Sequence, residues 1–120
     1  MKLAITSTGK ELDSKLDPRF GRTAYFILVD PDTMDFEAVE NSQNLNLPQG
    51  AGIQAGKTIV DHHVDVLITG NCGPKAFKVL QQADVQVVTG AHGTVSDAIT
   101  QFKNGDLDVA LEANVEGHWV

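Results

Sequence analysis

Two short runs in this sequence combine cationic side chains with glycine, and both are suited to binding an anion. The first run is Asp17–Arg22, which contains Arg19, Phe20, Gly21 and Arg22. Guanidinium groups form forked hydrogen bonds to oxygen or sulfide anions, and a neighbouring Phe20 ring can exclude water from the ligand. The alternative interpretation is a solvated loop in which Phe20 packs into the core.

The second run covers residues 70–75 and reads Gly70-Asn71-Cys72-Gly73-Pro74-Lys75. It follows an apolar segment and precedes a helical pattern, with Pro74 at the favoured first helical position. Unpaired N–H groups and the helix dipole attract anions to such a terminus, and Lys75 adds positive charge there. The alternative is that the run is only a well-formed strand–helix turn.

Two further side chains are candidate metal ligands. Cys72 is the only cysteine, and at the start of a helix its pKa is expected to be lowered, which favours contact with a soft metal. His92, followed by Gly93, lies in the loop after the last predicted strand and is expected to contact a ligand or metal. The sequence contains no C-x-x-C or H-x-x-x-H spacing, so no preformed mononuclear zinc site is predicted.

Hydrophobic periodicity predicts which elements hold these residues. Five strands are predicted, at residues 2–7, 24–30, 34–40, 64–69 and 85–89, together with helices over 51–63, 74–83 and 94–103. This order predicts a three-layer α/β/α domain whose five-stranded mixed sheet has the order 3-2-1-4-5, with strand 2 antiparallel. Ligands bind such sheets at the carboxyl ends of the parallel strands, where the loops Thr8–Arg22, Gly70–Gly73 and Gly90–Gly93 are expected to meet.

Composition limits the classes of function. The 120 residues predict a single domain over 1–106, followed by an extended C-terminal tail over 107–120. Nine basic and 16 acidic residues give a net charge of −7, which argues against general nucleic-acid or anionic-membrane binding. A single cysteine excludes an internal disulfide framework. No signal-peptide-like or membrane-spanning apolar run is present, so a cytoplasmic location is expected.

The order and separation of several segments resemble the dinitrogenase iron–molybdenum cofactor biosynthesis family. The matching segments are Met1–Ser7, Asp17–Arg22 with Tyr25–Val29, Gln49–Gly56, Val64–Phe77 and Gly93–Gly105. The resemblance implies a ribonuclease H-like fold and a carrier that holds a molybdenum–copper sulfide cluster without covalent bonds. An iron–molybdenum cofactor or its precursor is the alternative cargo. Cys72 departs from this pattern, because a noncovalent carrier does not require a thiolate.

Three hypotheses follow for the function. The first is a carrier, not an enzyme, in which Arg19, Arg22, Lys75 and the amides of Gly73–Lys75 neutralise an anionic metal–sulfide cluster. In this hypothesis Phe20 shields the cluster, and Cys72 or His92 contacts its metal. The second is a thiol redox protein or sensor that uses Cys72. The third is an adaptor whose acidic hairpin edge docks protein partners, in a cofactor-assembly or cell-division-related complex.

Overall fold

The computed structural model describes residues 1–41 and 50–110, which form one mixed β-sheet with helices on both faces. The six strands are β1 (Leu3–Ser7), β2 (Tyr25–Val29), β3 (Phe36–Glu40), β4 (Val66–Ile68), β5 (Gln86–Thr89) and β6 (Asp108–Val109). Their order across the sheet is β3-β2-β1-β4-β5-β6. β1 pairs in parallel with β4, and β4 with β5, whereas β2 is antiparallel to both of its neighbours. The predicted order of the first five strands is therefore confirmed.

Three α-helices cover the sheet, and they are α1 (Ala51–Asp61), α2 (Pro74–Gln82) and α3 (Val95–Lys103). Alternating strand residues point to opposite faces, so Ala4 and Leu67 pack with α1 and α2, whereas Leu3 and Ile5 pack with α3. The helices thus form the outer two of three layers. No helix of the described residues is long and apolar enough to cross a membrane.

The sixth strand corrects the prediction of a five-stranded sheet. Val109 and Asp108 pair antiparallel with Val88 and Thr89, and the Ala110 N–H donates to Val87 O at 2.8 Å. The alternation of Leu107 and Val109 resembles a strand, but a two-residue strand carries too little apolar pattern to be recognised. The predicted tail therefore begins inside the sheet, and its residues 111–120 lie outside the described part of the chain.

The long loop between β1 and β2 is ordered by main-chain hydrogen bonds. Thr8 N–H donates to Lys15 O, and Leu16 N–H donates to Gly93 O, each at 2.9 Å. The loop ends in a single turn of 3-10 helix at Phe20–Arg22. The first bond closes the loop on itself, and the second fixes it to the segment that follows β5, where the sequence predicts a binding site.

Candidate functional site

The two runs that the sequence predicts to bind an anion, Asp17–Arg22 and residues 70–75, lie side by side at the carboxyl edge of the sheet. Asn71 N–H donates to Pro18 O at 2.7 Å, and Phe20 N–H donates to Asn71 O at 3.3 Å, which forms a parallel bridge between Arg19 and Asn71. Gly70 permits this approach, since a Cβ there would lie 2.9 Å from both Cα and O of Pro18. The structure therefore brings together the two segments that sequence reasoning could only place at one edge.

Buried hydroxyl groups hold the loop from beneath, a feature that sequence reasoning missed. The Thr6 Oγ1 donates to Asp17 O at 2.6 Å and lies 3.0 Å from the Thr69 Oγ1. Thr6 lies near the carboxyl end of β1, and Thr69 directly follows β4. Both side chains are fully buried. A polar residue at the end of an apolar strand is the only signal in the sequence that points to this support.

The segment Arg19–Arg22 divides between surface and core. Arg19 is exposed and Arg22 is half-buried, whereas Phe20 and Gly21 are buried. The Phe20 ring lies 5.7 Å from the Phe26 ring, centroid to centroid, inside the core beneath α1 and α2. Phe20 therefore anchors the loop, and the expectation that it shields a ligand at the surface is not supported by its full burial.

The N-terminus of α2 presents main-chain donors at the same edge. Gly73 is the N-cap residue in an extended conformation and provides no side-chain cap, and Pro74 occupies the first turn as predicted. Within the described residues, the Lys75 and Ala76 N–H groups have no hydrogen-bond acceptor. The exposed Lys75 side chain adds a positive charge. This turn combines the helix dipole with unpaired donors, which suits it to an anion.

The N-terminus of α3 is closed, in contrast to that of α2. Thr94 and Asp97 form a reciprocal capping box, with both hydrogen bonds at 3.0 Å. The Val95 and Ser96 N–H groups donate to carbonyl oxygens of the long loop, at 2.9 and 2.8 Å. Gly93, with φ of +89°, is required by this turn because a Cβ would meet the Asp97 carboxylate. Gly93 therefore has a structural role, and within the described residues the N–H groups of Thr94–Asp97 all have acceptors.

Cys72 is buried directly behind the α2 turn. Its side chain is 1% exposed and packs in the core with Ala76 and Phe77. Burial raises the pKa of the Cys72 thiol to about 12, so the expected lowering of its pKa by the helix dipole is wrong. Desolvation dominates because the sulfur lies inside the core and not at the exposed end of the helix. A neutral, covered thiol lends no support to Cys72 as a metal ligand or redox centre.

His92 is exposed, and Gln101 of α3 fixes its ring. The Gln101 side-chain amide accepts from His92 N–H at 3.3 Å and donates to His92 O at 2.9 Å, which sets the orientation of the amide. Its nitrogen lies 2.9 Å from the His92 Nδ1, which must therefore act as an acceptor. A neutral His92 consequently carries its proton on Nε2. In this arrangement the ring offers an N–H to an anion, and not a lone pair to a metal.

Asp17 places a carboxyl group beside Arg19. The Arg19 N–H donates to Asp17 Oδ1 at 3.1 Å. Burial raises the pKa of Asp17, and the hydrogen bond and positive charge of Arg19 partly offset this effect. Across residues 1–41 and 50–110, no group of three or more His, Cys, Asp or Glu side chains is placed to hold a metal ion. The charged and polar groups that the edge presents are therefore mainly cations and amides.

Comparisons with known proteins agree with this architecture. The apo form of the orange protein from Desulfovibrio gigas superposes with a TM-score of 0.91 and 41% identity, over 95% of this chain and 96% of that one. The Thermotoga protein TM1290 superposes with a TM-score of 0.82 and 36% identity, over 97% and 98% of the two chains. The uncharacterized protein MJ0580 of Methanocaldococcus jannaschii is 28% identical over 112 residues, which cover 90% of this chain and 94% of that protein.

These likenesses define a class of small α/β proteins in bacteria and archaea, in which the matches cover nearly the full length of both chains. The family model described as "Dinitrogenase iron-molybdenum cofactor" matches residues 1–105. The chain belongs to this family, which confirms the resemblance seen in the sequence.

Proposed function

We propose that this protein is a carrier, and not an enzyme, for an anionic metal–sulfide cluster. The observation that carries the proposal is the main-chain pairing of Arg19 with Asn71, which sets the arginine segment beside the open N-terminus of α2. Arg19, Lys75 and the amides of Lys75 and Ala76 provide positive potential without a covalent ligand. His92 would donate a hydrogen bond from its Nε2–H to an anion that reaches the loop after β5.

The relatives support the chemical class of the cargo. The family description names an iron–molybdenum cofactor, and the orange protein is a relative at 41% identity. We therefore propose a molybdenum–copper sulfide cluster as cargo, with an iron–molybdenum cofactor or its precursor as the alternative. The mixed sheet with its antiparallel β2 also supports a ribonuclease H-like classification of the fold, which stays a prediction.

The proposal is tested by reconstitution of the metal-free protein with tetrathiomolybdate and a copper salt. We expect a stoichiometric coloured complex that survives gel filtration. Replacing Arg19 and Arg22 together by Ala is expected to weaken binding by at least about tenfold, because each charge-assisted hydrogen bond contributes roughly 1.5–3 kcal/mol. The matched control replaces Lys57 and Lys103, which are exposed on α1 and at the end of α3, and so removes the same charge elsewhere.

Two results would contradict the proposal. If no stoichiometric complex forms with thiomolybdate and copper or with an iron–molybdenum cofactor, the protein is not a carrier of such clusters. If the Arg variant and the Lys control weaken binding equally, the cluster responds to overall charge and not to this edge. The acidic-edge adaptor hypothesis predicts instead that partner binding survives the double Arg replacement.

A further inference from the structure

The outer edge of β3 has unpaired main-chain groups. β3 pairs with β2 on one side, and among the described residues no strand lies on its other side. Asn41 N–H donates to Ala24 O and Asp30 N–H donates to Asp35 O, so these are hydrogen-bonded pairs of the antiparallel ladder. Hydrogen-bonded and non-hydrogen-bonded pairs alternate along such a ladder, which makes Phe36, Ala38 and Glu40 members of non-hydrogen-bonded pairs. The N–H and C=O groups of Phe36, Ala38 and Glu40 therefore point away from β2, as a template for one more strand.

The side chains of this edge are exposed and strongly acidic. Phe36, Glu37, Ala38 and Glu40 are all exposed, although they belong to a strand. Residues 23–41 contain five acidic residues and neither Lys nor Arg, whereas the whole chain has nine basic residues. Such a one-signed edge repels another acidic strand and attracts a basic one.

An apolar groove lies at the start of the same strand. Its volume is about 310 Å³, and its walls include Met1 and Phe36, whose side chains are 65% and 40% exposed. Its charged lining consists of three acidic residues, Asp30, Asp35 and Glu37, and one basic residue, Lys2. The Lys2 Nζ donates to His62 O at 2.9 Å. A groove of this size accommodates one large apolar side chain, and in strand addition such pockets add specificity to the main-chain hydrogen bonds.

From these three observations we infer that β3 docks an extended basic segment of a partner protein as an added antiparallel or parallel strand. Glu37 and Glu40 lie on opposite faces of β3, so lysine or arginine side chains on both faces of that segment would meet them, and one apolar side chain would fill the groove beside Phe36. A second copy of this chain fits poorly, because its own β3 is acidic and its other edge strand, β6, contains Asp108. The inference is independent of what the carboxyl edge of the sheet binds.

The test uses a labelled ten-residue peptide that carries Lys at both odd and even positions, with Val between them and one central Leu, and measures binding to the full chain by fluorescence anisotropy. We expect saturable binding that weakens as salt is raised, since exposed charges are screened. Hydrogen exchange is followed in parallel, and the amides of Phe36, Ala38 and Glu40 are expected to exchange at least about tenfold more slowly with the peptide bound, because each gains a hydrogen bond.

Two peptide controls separate strand addition from simple charge attraction. A peptide with Glu in place of Lys is expected not to bind. A peptide that keeps its lysines but is N-methylated at every residue offers N–H groups on neither edge and is expected to bind at least about tenfold more weakly. Equal binding by the fully N-methylated peptide and the unmodified peptide would overturn the inference, since only charge would then be recognised.

Matched protein variants locate the surface. Glu37→Lys with Glu40→Lys is expected to weaken binding of the Lys peptide about tenfold, because two attractive pairs become repulsive. The control, Asp106→Lys with Asp108→Lys, makes the same charge change beside β6 and is expected to alter binding less than about twofold. Equal losses in the two variants, protection of other amides, or dimerisation of the free protein through β3 in sedimentation experiments would each overturn the inference.

Discussion

Replacing Gly70 by Ala tests whether contact between the two loops creates the binding edge. The new Cβ would lie 2.9 Å from both the Cα and the carbonyl oxygen of Pro18, whereas ordinary contacts begin at 3.4 Å. The backbone at Pro18 must therefore move by about 0.5 Å. The Phe20–Asn71 hydrogen bond is already 3.3 Å long, so a shift of this size breaks it.

The size of the effect follows from this crowding. Inserting a methyl group into a tightly packed site costs about 1–3 kcal/mol, and the lost hydrogen bond belongs to the same cost. For a domain of this length, the expected decrease in the thermal midpoint is roughly 5–15 °C. Cluster binding is expected to weaken at least about tenfold, since a misplaced charged donor loses about 1.5–3 kcal/mol.

The assay pairs thermal unfolding followed by circular dichroism with titration of thiomolybdate and copper into the folded protein. Gly56→Ala is the matched control, because its Cβ would crowd the Val79 side chain, at 3.0 Å from Cγ1 and 3.3 Å from Cβ, at a distance from the two loops. The stiff, β-branched Val79 opposes the gain in helix propensity, so the control is expected to change stability but to bind the cluster like the original chain. If Gly70→Ala has the same thermal midpoint and the same affinity for the cluster as the control, the contact between the loops does not position the site.

Three other predictions concern single residues. Iodoacetamide is expected to modify Cys72 at pH 8 only after urea unfolds the chain, because burial raises the pKa of the thiol to about 12; rapid labelling of the folded protein would contradict its burial. Phe20→Ala is expected to destabilise the fold by about 3–5 kcal/mol in urea unfolding, and a loss below 1 kcal/mol would mean that Phe20 is not a core residue. Because burial raises the pKa of Asp17 above 3.8, the folded state holds that proton more tightly, and stability decreases as pH rises through the folded pKa. Asp17→Asn, which can still accept from Arg19 N–H, is expected to remove that decrease, as measured by the free energy of urea unfolding at pH 3.5 and at pH 6. If the free energy of unfolding changes with pH equally in both proteins, Asp17 is not the group responsible.

Local patterns in the sequence predict most of the sheet and helices. The apolar spacing of Val95, Ala98 and Ile99 and the Thr94–Asp97 capping box predict α3, and both appear in the structure. The order of the first five strands follows from handedness and connection length. β6 could not be predicted in the same way, because its two residues gain their strand conformation from pairing with β5.

The candidate site depends more on distant contacts, so less of it could be predicted. The turns before α2 and α3 look alike in sequence, yet only the second has its donors covered, by carbonyl groups about 80 residues earlier in the chain. The same limit applies to Cys72, since the helix N-terminus is visible in the sequence but the packing of Phe77 around it is not. The tautomer of His92 likewise depends on Gln101, nine residues away on α3.

The pairing of Arg19 with Asn71 uses main-chain atoms alone. Substitution at either position therefore leaves this main-chain frame, the pair of hydrogen bonds between residues 18–20 and Asn71, unchanged, unless proline removes the Asn71 N–H. The side chains that project from this frame are free to diverge while the fold persists, as it does in relatives with 41% and 36% identity. In the carrier function proposed above, the choice of cargo could thus change through a few projecting side chains, without rebuilding the loops that hold them.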